Sequence, residues 1–372
     1  MARNTNPGTN ARASTSGLTA IDFGSALSFN ECVDLIALCP EIRVHVEGEP
    51  GIGKSSLLKN VAARSGITRY AYIDVPNLDL GDIAMPVLKH DTKTTGYYPN
   101  ERFQLHHGEP VAIMLDEFSK GAEPVKNMLH PLLESVNPRF GDIPLPPGSI
   151  VFSSGNLSGD GVGDGRKAHT VGRQTTVRMR KPDAQSWIHN FAVNADIDGS
   201  IIAWVDRTPH TMASYLDDGQ EGNHYIFNPR RPVRAYVSPR SLERASSIVR
   251  RRRLMSENTL TCALIGTIGE QGARDLGAYI AFQNDLPAWK EIIDNPRNAR
   301  VPESAGASAV LIFGAVQRVE MDTIDNFMAY LNRFDTNWQA TFCLTLAKSA
   351  KQPIGFRNAA FKSWLLENQD IL

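Results

Sequence analysis

The chain has 372 residues but only four cysteines, Cys32, Cys39, Cys262 and Cys343, none in a CxxC or Cys/His spacing. That excludes a disulfide framework and a thiolate zinc site, and leads us to expect reduced, buried thiols in a cytosolic protein. Long apolar runs are missing too: stretches such as Ala305 to Ala315 fall far short of the roughly 20 residues that span a bilayer, so no membrane crossing is expected. There is no charge surplus, since 39 Lys+Arg against 40 Asp+Glu leave a formal charge of -1. A nucleic acid or an anionic membrane would therefore have to be met by a local patch. None of the nine histidines has metal spacing: His106 and His107 are adjacent and on a strand would point to opposite faces, and the lone His45 reads as a satisfied, partly buried residue. No repeat of fixed period occurs, and the one low-complexity stretch is residues 1–18, read as a disordered tail with no apolar core of a secretory signal. What remains is ordinary globular usage, 42% hydrophobic and 21% charged, enough for one large core and for two domains.

From Ala20 to Cys39 the pattern predicts a loop and a short helix with Cys32, Leu35, Ile36 and Cys39 on one face, ended by Pro40. Strands are predicted at Ile42–Val46, Tyr70–Val75, Val111–Leu115, Ser149–Ser153 and Thr175–Met179, with helices near Ser55–Ser65 and Pro124–Val136. Such alternation implies a parallel sheet wrapped by helices. Past Pro182 the texture is helical: Ala184–Val193, then, after a polar stretch from Asp217 to Pro232, Pro239–Leu254. Ile324, Phe327, Met328 and Leu331, and later Phe361, Trp364 and Leu365, keep helical spacing.

The strongest signal is Gly48-Glu49-Pro50-Gly51-Ile52-Gly53-Lys54-Ser55, followed by Ser56, which satisfies GxxxxGK[ST] between a predicted strand and a predicted helix. Its glycines turn backbone N–H groups toward phosphate oxygens, Lys54 reaches the phosphates, and the Ser55 hydroxyl suits Mg²⁺. A second element, Val111 to Leu115 ending in Asp116-Glu117, looks like a Walker B segment: Asp116 would hold Mg²⁺ and Glu117 would polarise an attacking water. A third is Ser154-Gly155-Asn156, at another strand's C-terminal edge, where open α/β sheets bind ligands. Asn156 there reads either as a bridge between water and γ-phosphate or as a turn-former before the loop Gly159–Gly165.

Together these elements resemble AAA+ ATPases, and within them the MoxR-like group, over roughly residues 20 to 290. The resemblance also rests on Leu78-Asp79-Leu80-Gly81-Asp82 with a hairpin-like insert to about Leu105, on Asn137 to Pro147 as a hairpin before sensor 1, and on Ser238-Pro239-Arg240-Ser241-Leu242 as sensor 2. It implies a P-loop core with a five-stranded parallel sheet over 19–182, a helical lid over 183–294 and a helical C-terminal region over 295–372. It implies ATP and Mg²⁺ as ligands, Asn156 as sensor 1, Arg240 reaching the nucleotide from the lid, and an arginine from a neighbouring subunit. Arg173 is the candidate for that finger, with Arg166, Arg178 and Arg180 close by. The implied protein is a homo-oligomer, a ring of six, in a bacterial cytosol or an infected host cell, as in members encoded by bacteriophage and bacterial genomes. It would remodel a client in a chaperone-like way, and clients in this group often carry a von Willebrand factor A domain. ATP over GTP follows from the resemblance and from the lack of an Asn-Lys-x-Asp motif.

Two features stay open at this level. Arg230, Arg231, Arg234, Arg240, Arg244 and Arg250 to Arg253 form the densest charge cluster. It reads as a nucleic-acid groove of a DNA-directed motor, or as a solvated lid helix with Arg240 sensing nucleotide. Four consecutive arginines on a helix point about 100° apart and make no single stripe. Tyr97 and Tyr98 read either as pore-facing paddles or as anchors of a hairpin. A nucleotide-held adaptor without turnover is the non-enzyme alternative, and the intact Glu117 speaks against it.

Overall fold

The structure, a computed structural model, describes residues 26–157, 172–231, 233–282 and 286–369. The expected tail, the loop Gly159–Gly165 and Arg166 lie outside the described residues. Five strands, β1 (Val44–Glu47), β2 (Arg69–Asp74), β5 (Val111–Asp116), β8 (Ile150–Gly155) and β9 (Thr175–Arg178), form one sheet in the order β2-β5-β8-β1-β9. Every pairing within it is parallel. The continuous apolar run of β5 has a simple cause, burial on both faces. Val111, Ile113 and Leu115 enter one hydrophobic cluster, while Ala112 and Met114 enter another with Val44, Val46 and Phe152.

On that second face lie α1 (Phe29–Leu38) and α2 (Leu57–Arg64), the helix that follows the Gly-rich loop. Ser28 caps α1 through a reciprocal box with Glu31. The opposite face carries α3 (Glu123–Leu129). This helix is shorter than the sequence predicts, because Pro131 has no N–H for an α-helical bond and the chain tightens into a 3₁₀ turn over His130–Leu133. Two antiparallel hairpins interrupt the alternation: β3 (Ala84–Lys89) with β4 (Thr94–Pro99), and β6 (Arg139–Phe140) with β7 (Ile143–Pro144). They fall where the two inserts were expected.

The rest is helical: α4 (Ala184–Trp187, continued by a π-turn over Ile188–Ala192), α5 (Gly199–Arg207), α6 (Pro239–Val249), α7 (Glu257–Phe282, broken at Gly269), α8 (Trp289–Asp294), α9 (Ala305–Arg318), α10 (Ile324–Leu331), α11 (Thr336–Ala347), α12 (Gln352–Arg357) and α13 (Ala359–Glu367). Residues from Ala184 to Trp364 share one core, so the segments before and after Asn295 are packed together. The two sides meet closely where Gly199 of α5 faces Gly314 of α9; an added Cβ on Gly199 would come within 3.2 Å of backbone there.

Two expectations are corrected. The helix predicted to Leu254 ends at Val249, and Arg250 to Arg253 leave it as a turn and a 3₁₀ stretch. Arg250 turns out to Asp196 at 2.8 Å and Arg252 to Asp198 at 3.6 Å, so two of the four are tied to acids instead of ringing a helix. Cys32 and Cys343 are buried, but Cys262 is exposed, because α7 presents that position to solvent. His106 and His107 sit in a 3₁₀ turn with rings 3.9 Å apart. Among the described residues no helix is long and apolar enough to cross a membrane, and no group of three or more His, Cys, Asp or Glu is placed to hold a metal ion.

Candidate nucleotide site

The Gly-rich loop leaves β1 at the C-terminal edge of the sheet. Gly51 (φ 81°) and Gly53 (φ 100°) take left-handed backbone conformations that side chains disfavour, which lets the chain curl tightly before α2. A Cβ on Gly53 would meet no atom within 4 Å, so the backbone conformation and not crowding calls for glycine there. Lys54, 8% exposed, folds over the loop and donates from Nζ to Gly48 O (2.6 Å), Glu49 O (2.9 Å) and Asn156 Oδ1 (3.1 Å). Ser55 and Ser56 complete a 3₁₀ turn into α2, next to the N–H groups that a helix start leaves unpaired.

Asp116 stands on the neighbouring strands' shared face by register. Met114 is paired with Tyr72 on one side and Phe152 on the other, so Asp116 and Ser154, two residues on, project the same way as Tyr72. The hydroxyls of Tyr72 and Ser154 each donate to one Asp116 oxygen. Burial and the Asp116 carboxylate push the Tyr72 hydroxyl well above its ordinary pKa, so it stays a donor at neutral pH. Glu117, with φ 50°, takes a left-handed conformation that costs a glutamate of order 1 kcal/mol and is characteristic of functional sites. Its Oε2 accepts from Lys120 Nζ at 2.8 Å, and its Oε1 lies 3.5 Å from Asn156 Nδ2. Asn156 thus spans Lys54 and Glu117.

The helical region closes the other side. Ser238 caps α6, and Arg240 N donates to Gly51 O at 3.2 Å, which brings Arg240 onto the loop. Glu49, 3% exposed, accepts a hydrogen bond from Ser214 Oγ. Beside it a cavity of about 580 Å³ is lined by Met179, Lys181, Ala184, Met212 and Leu216 among others. Sequence reasoning missed Tyr72, Ser214 and Lys181. The period-two register past Asp116 could have pointed to the face of Tyr72, but nothing local marks the other two.

The remaining candidates are spread over the sheet and the hairpins. Arg173 precedes β9, whose first residue Thr175 is paired with Val44, so it stands at the end of the sheet away from the loop; it pairs with Glu134 at 3.2 Å. Arg178 lines the cavity, and Arg180 is 3.9 Å from Glu31. Tyr97 and Tyr98 lie on β4, where Tyr98 is 65% exposed and Tyr97 faces Gly141 of the other hairpin. His45 is buried deeper than expected, 2.6 Å from Ser153 Oγ.

No family model matches the sequence, and no curated protein matches it. Among solved structures the chain is similar to the RuvB Holliday junction branch migration motor of Thermotoga maritima, at 15% identity and a TM-score of 0.35, over 82% of this chain and 86% of that one.

Proposed function

We propose that the chain is a Mg²⁺-dependent ATPase of the AAA+ type that works as a ring, six subunits by the MoxR-like resemblance, and remodels a client protein. The observation that carries this reading is the joining of Lys54, Asn156 and Glu117 in one polar chain beside Asp116, at the C-terminal edge of a parallel sheet. Oxygen donors, the Ser55 hydroxyl and the Asp116 carboxylate, fit Mg²⁺, which when bound neutralises charge on the phosphate oxygens. Lys54 and Arg240 stabilise charge, Glu117 takes the proton from the attacking water, and Asn156 orients that water. The core over 19–182, the lid over 183–294 and the region over 295–372 would work together, with the last bracing the lid through the shared core. A client with a von Willebrand factor A domain and a cytosolic setting belong to the same resemblance.

The arginine cluster favours a DNA motor less than its sequence does, because Arg250 and Arg252 face acids within the chain. ATP turnover per chain, measured across protein concentration with mass photometry on the same samples, is expected to rise as rings appear. Turnover that is independent of concentration in a monomer would reject the ring.

A second expectation concerns the hydroxyl on Asp116. Tyr72→Phe removes one donor from the carboxylate, and turnover should fall about tenfold with a matching rise in the Mg²⁺ concentration for half-maximal rate. A wild-type Mg²⁺ titration in this variant would show that Tyr72 does not orient Asp116.

A further inference from the structure

The buried side chains of Glu49 and Lys181 have no part in the chemistry above. Both lie at the junction of the sheet and the helical region. Lys181 follows β9, where the chain passes between the two, and is 8% exposed. Its Nζ donates to Ala213 O at 2.9 Å and Val237 O at 3.3 Å, carbonyls of two separate segments of the helical region. Burial lowers its pKa to about 8, against the pull of the Glu49 and Asp217 carboxylates. Glu49 accepts from Ser214, the residue after Ala213, and Ser214 N donates to Asp217 Oδ2 at 2.8 Å. One short stretch, Ala213 to Asp217, is therefore gripped by both buried charges.

Glu49 is also tied the other way. Its carbonyl accepts from the Lys54 ammonium at 2.9 Å, beside Gly48 O and Asn156 Oδ1. A phosphate oxygen that takes a proton of Lys54 would rearrange these bonds. The backbone of Glu49 thus touches the ammonium of Lys54, while its side chain reaches the helical region.

We propose that Glu49 is a positioning residue which, through Ser214 and with Lys181 as buried counter-charge, transmits phosphate occupancy of the Gly-rich loop to the helical region. The proposal rests on the reading of that loop as a nucleotide site. The contact is separate from Arg240, which meets the loop at Gly51.

Lys181→Met would strip a buried cation from two carbonyls and threaten the fold, so the test rests on Ser214→Ala and Ser214→Thr, which lie outside the loop, in the full chain. Amide hydrogen exchange is followed with and without Mg²⁺ and a non-hydrolysable ATP analogue. In wild type the analogue should slow exchange at the loop and, about fivefold or more, over residues 209–217. In Ser214→Ala the second effect should shrink below about twofold while loop protection persists, and Ser214→Thr, which keeps the hydroxyl, should restore it. Undiminished slowing over 209–217 in Ser214→Ala, as direct contact with the analogue would give, overturns the proposal. So does loop protection in wild type with no change at 209–217. If the analogue leaves the loop itself unprotected, the nucleotide reading fails first and the coupling with it.

Discussion

A Glu117→Gln chain is expected to bind ATP and assemble as wild type does, yet to turn ATP over about 10³-fold more slowly. Glutamine keeps the length of the side chain and an oxygen where Lys120 now donates at 2.8 Å. It also keeps the backbone at φ 50°, so the local strain is the same in both proteins. What it loses is the ability to accept a proton. Single-turnover hydrolysis beside a nucleotide-binding titration separates the two effects. A variant that binds and still hydrolyses at the wild-type rate would place the base elsewhere and leave Glu117 as a partner of Lys120 and Asn156. Loss of binding together with turnover would instead make Glu117 part of the frame of the site.

The second large effect concerns Arg173. Arg173→Ala should lower turnover by about 10³-fold or more while leaving nucleotide affinity near wild type, the pattern of an arginine supplied in trans. Arg173 lies at the end of the sheet away from its own loop, so any part it plays in hydrolysis needs a second copy. Its pair with Glu134 is half-exposed on both sides, and loss of such a pair has little effect on stability. Mixing supplies the decisive measurement. Arg173→Ala chains have an intact Glu117, and Glu117→Gln chains have an intact Arg173, so random mixed rings should recover about one quarter of wild-type turnover at their complementary interfaces. Two inactive variants that stay inactive when mixed would remove the shared site. Recovery by mixing cannot come from a residue acting within its own chain.

The elements that carry the site were legible because their signals are local. A Gly-rich stretch with Lys54 and Ser55 needs only its own backbone freedom to curl. The run Val111 to Leu115 identifies a strand buried on both faces, which puts Asp116 and Glu117 at its end. The five strands lie within two residues of their expected bounds for the same reason, since burial writes itself into short apolar runs. Boundaries set by distant partners were less legible. Arg250 to Arg253 read as helix by propensity, yet Asp196 and Asp198, more than fifty residues earlier, draw two of them away.

Composition and local pattern were thus sufficient for the α/β core, the helical remainder and the Gly-rich loop at the edge of the sheet. They act through backbone conformation and burial, which depend on neighbours in the chain. The meeting of Asn156 with Lys54, of Tyr72 and Ser154 with Asp116, and of Ser214 with Glu49 belongs to the folded state. Those contacts span 102, 44, 38 and 165 positions, and no periodicity carries information over such separations. Strand order and the docking of the helical region bring them together, and both are products of packing the whole chain at once.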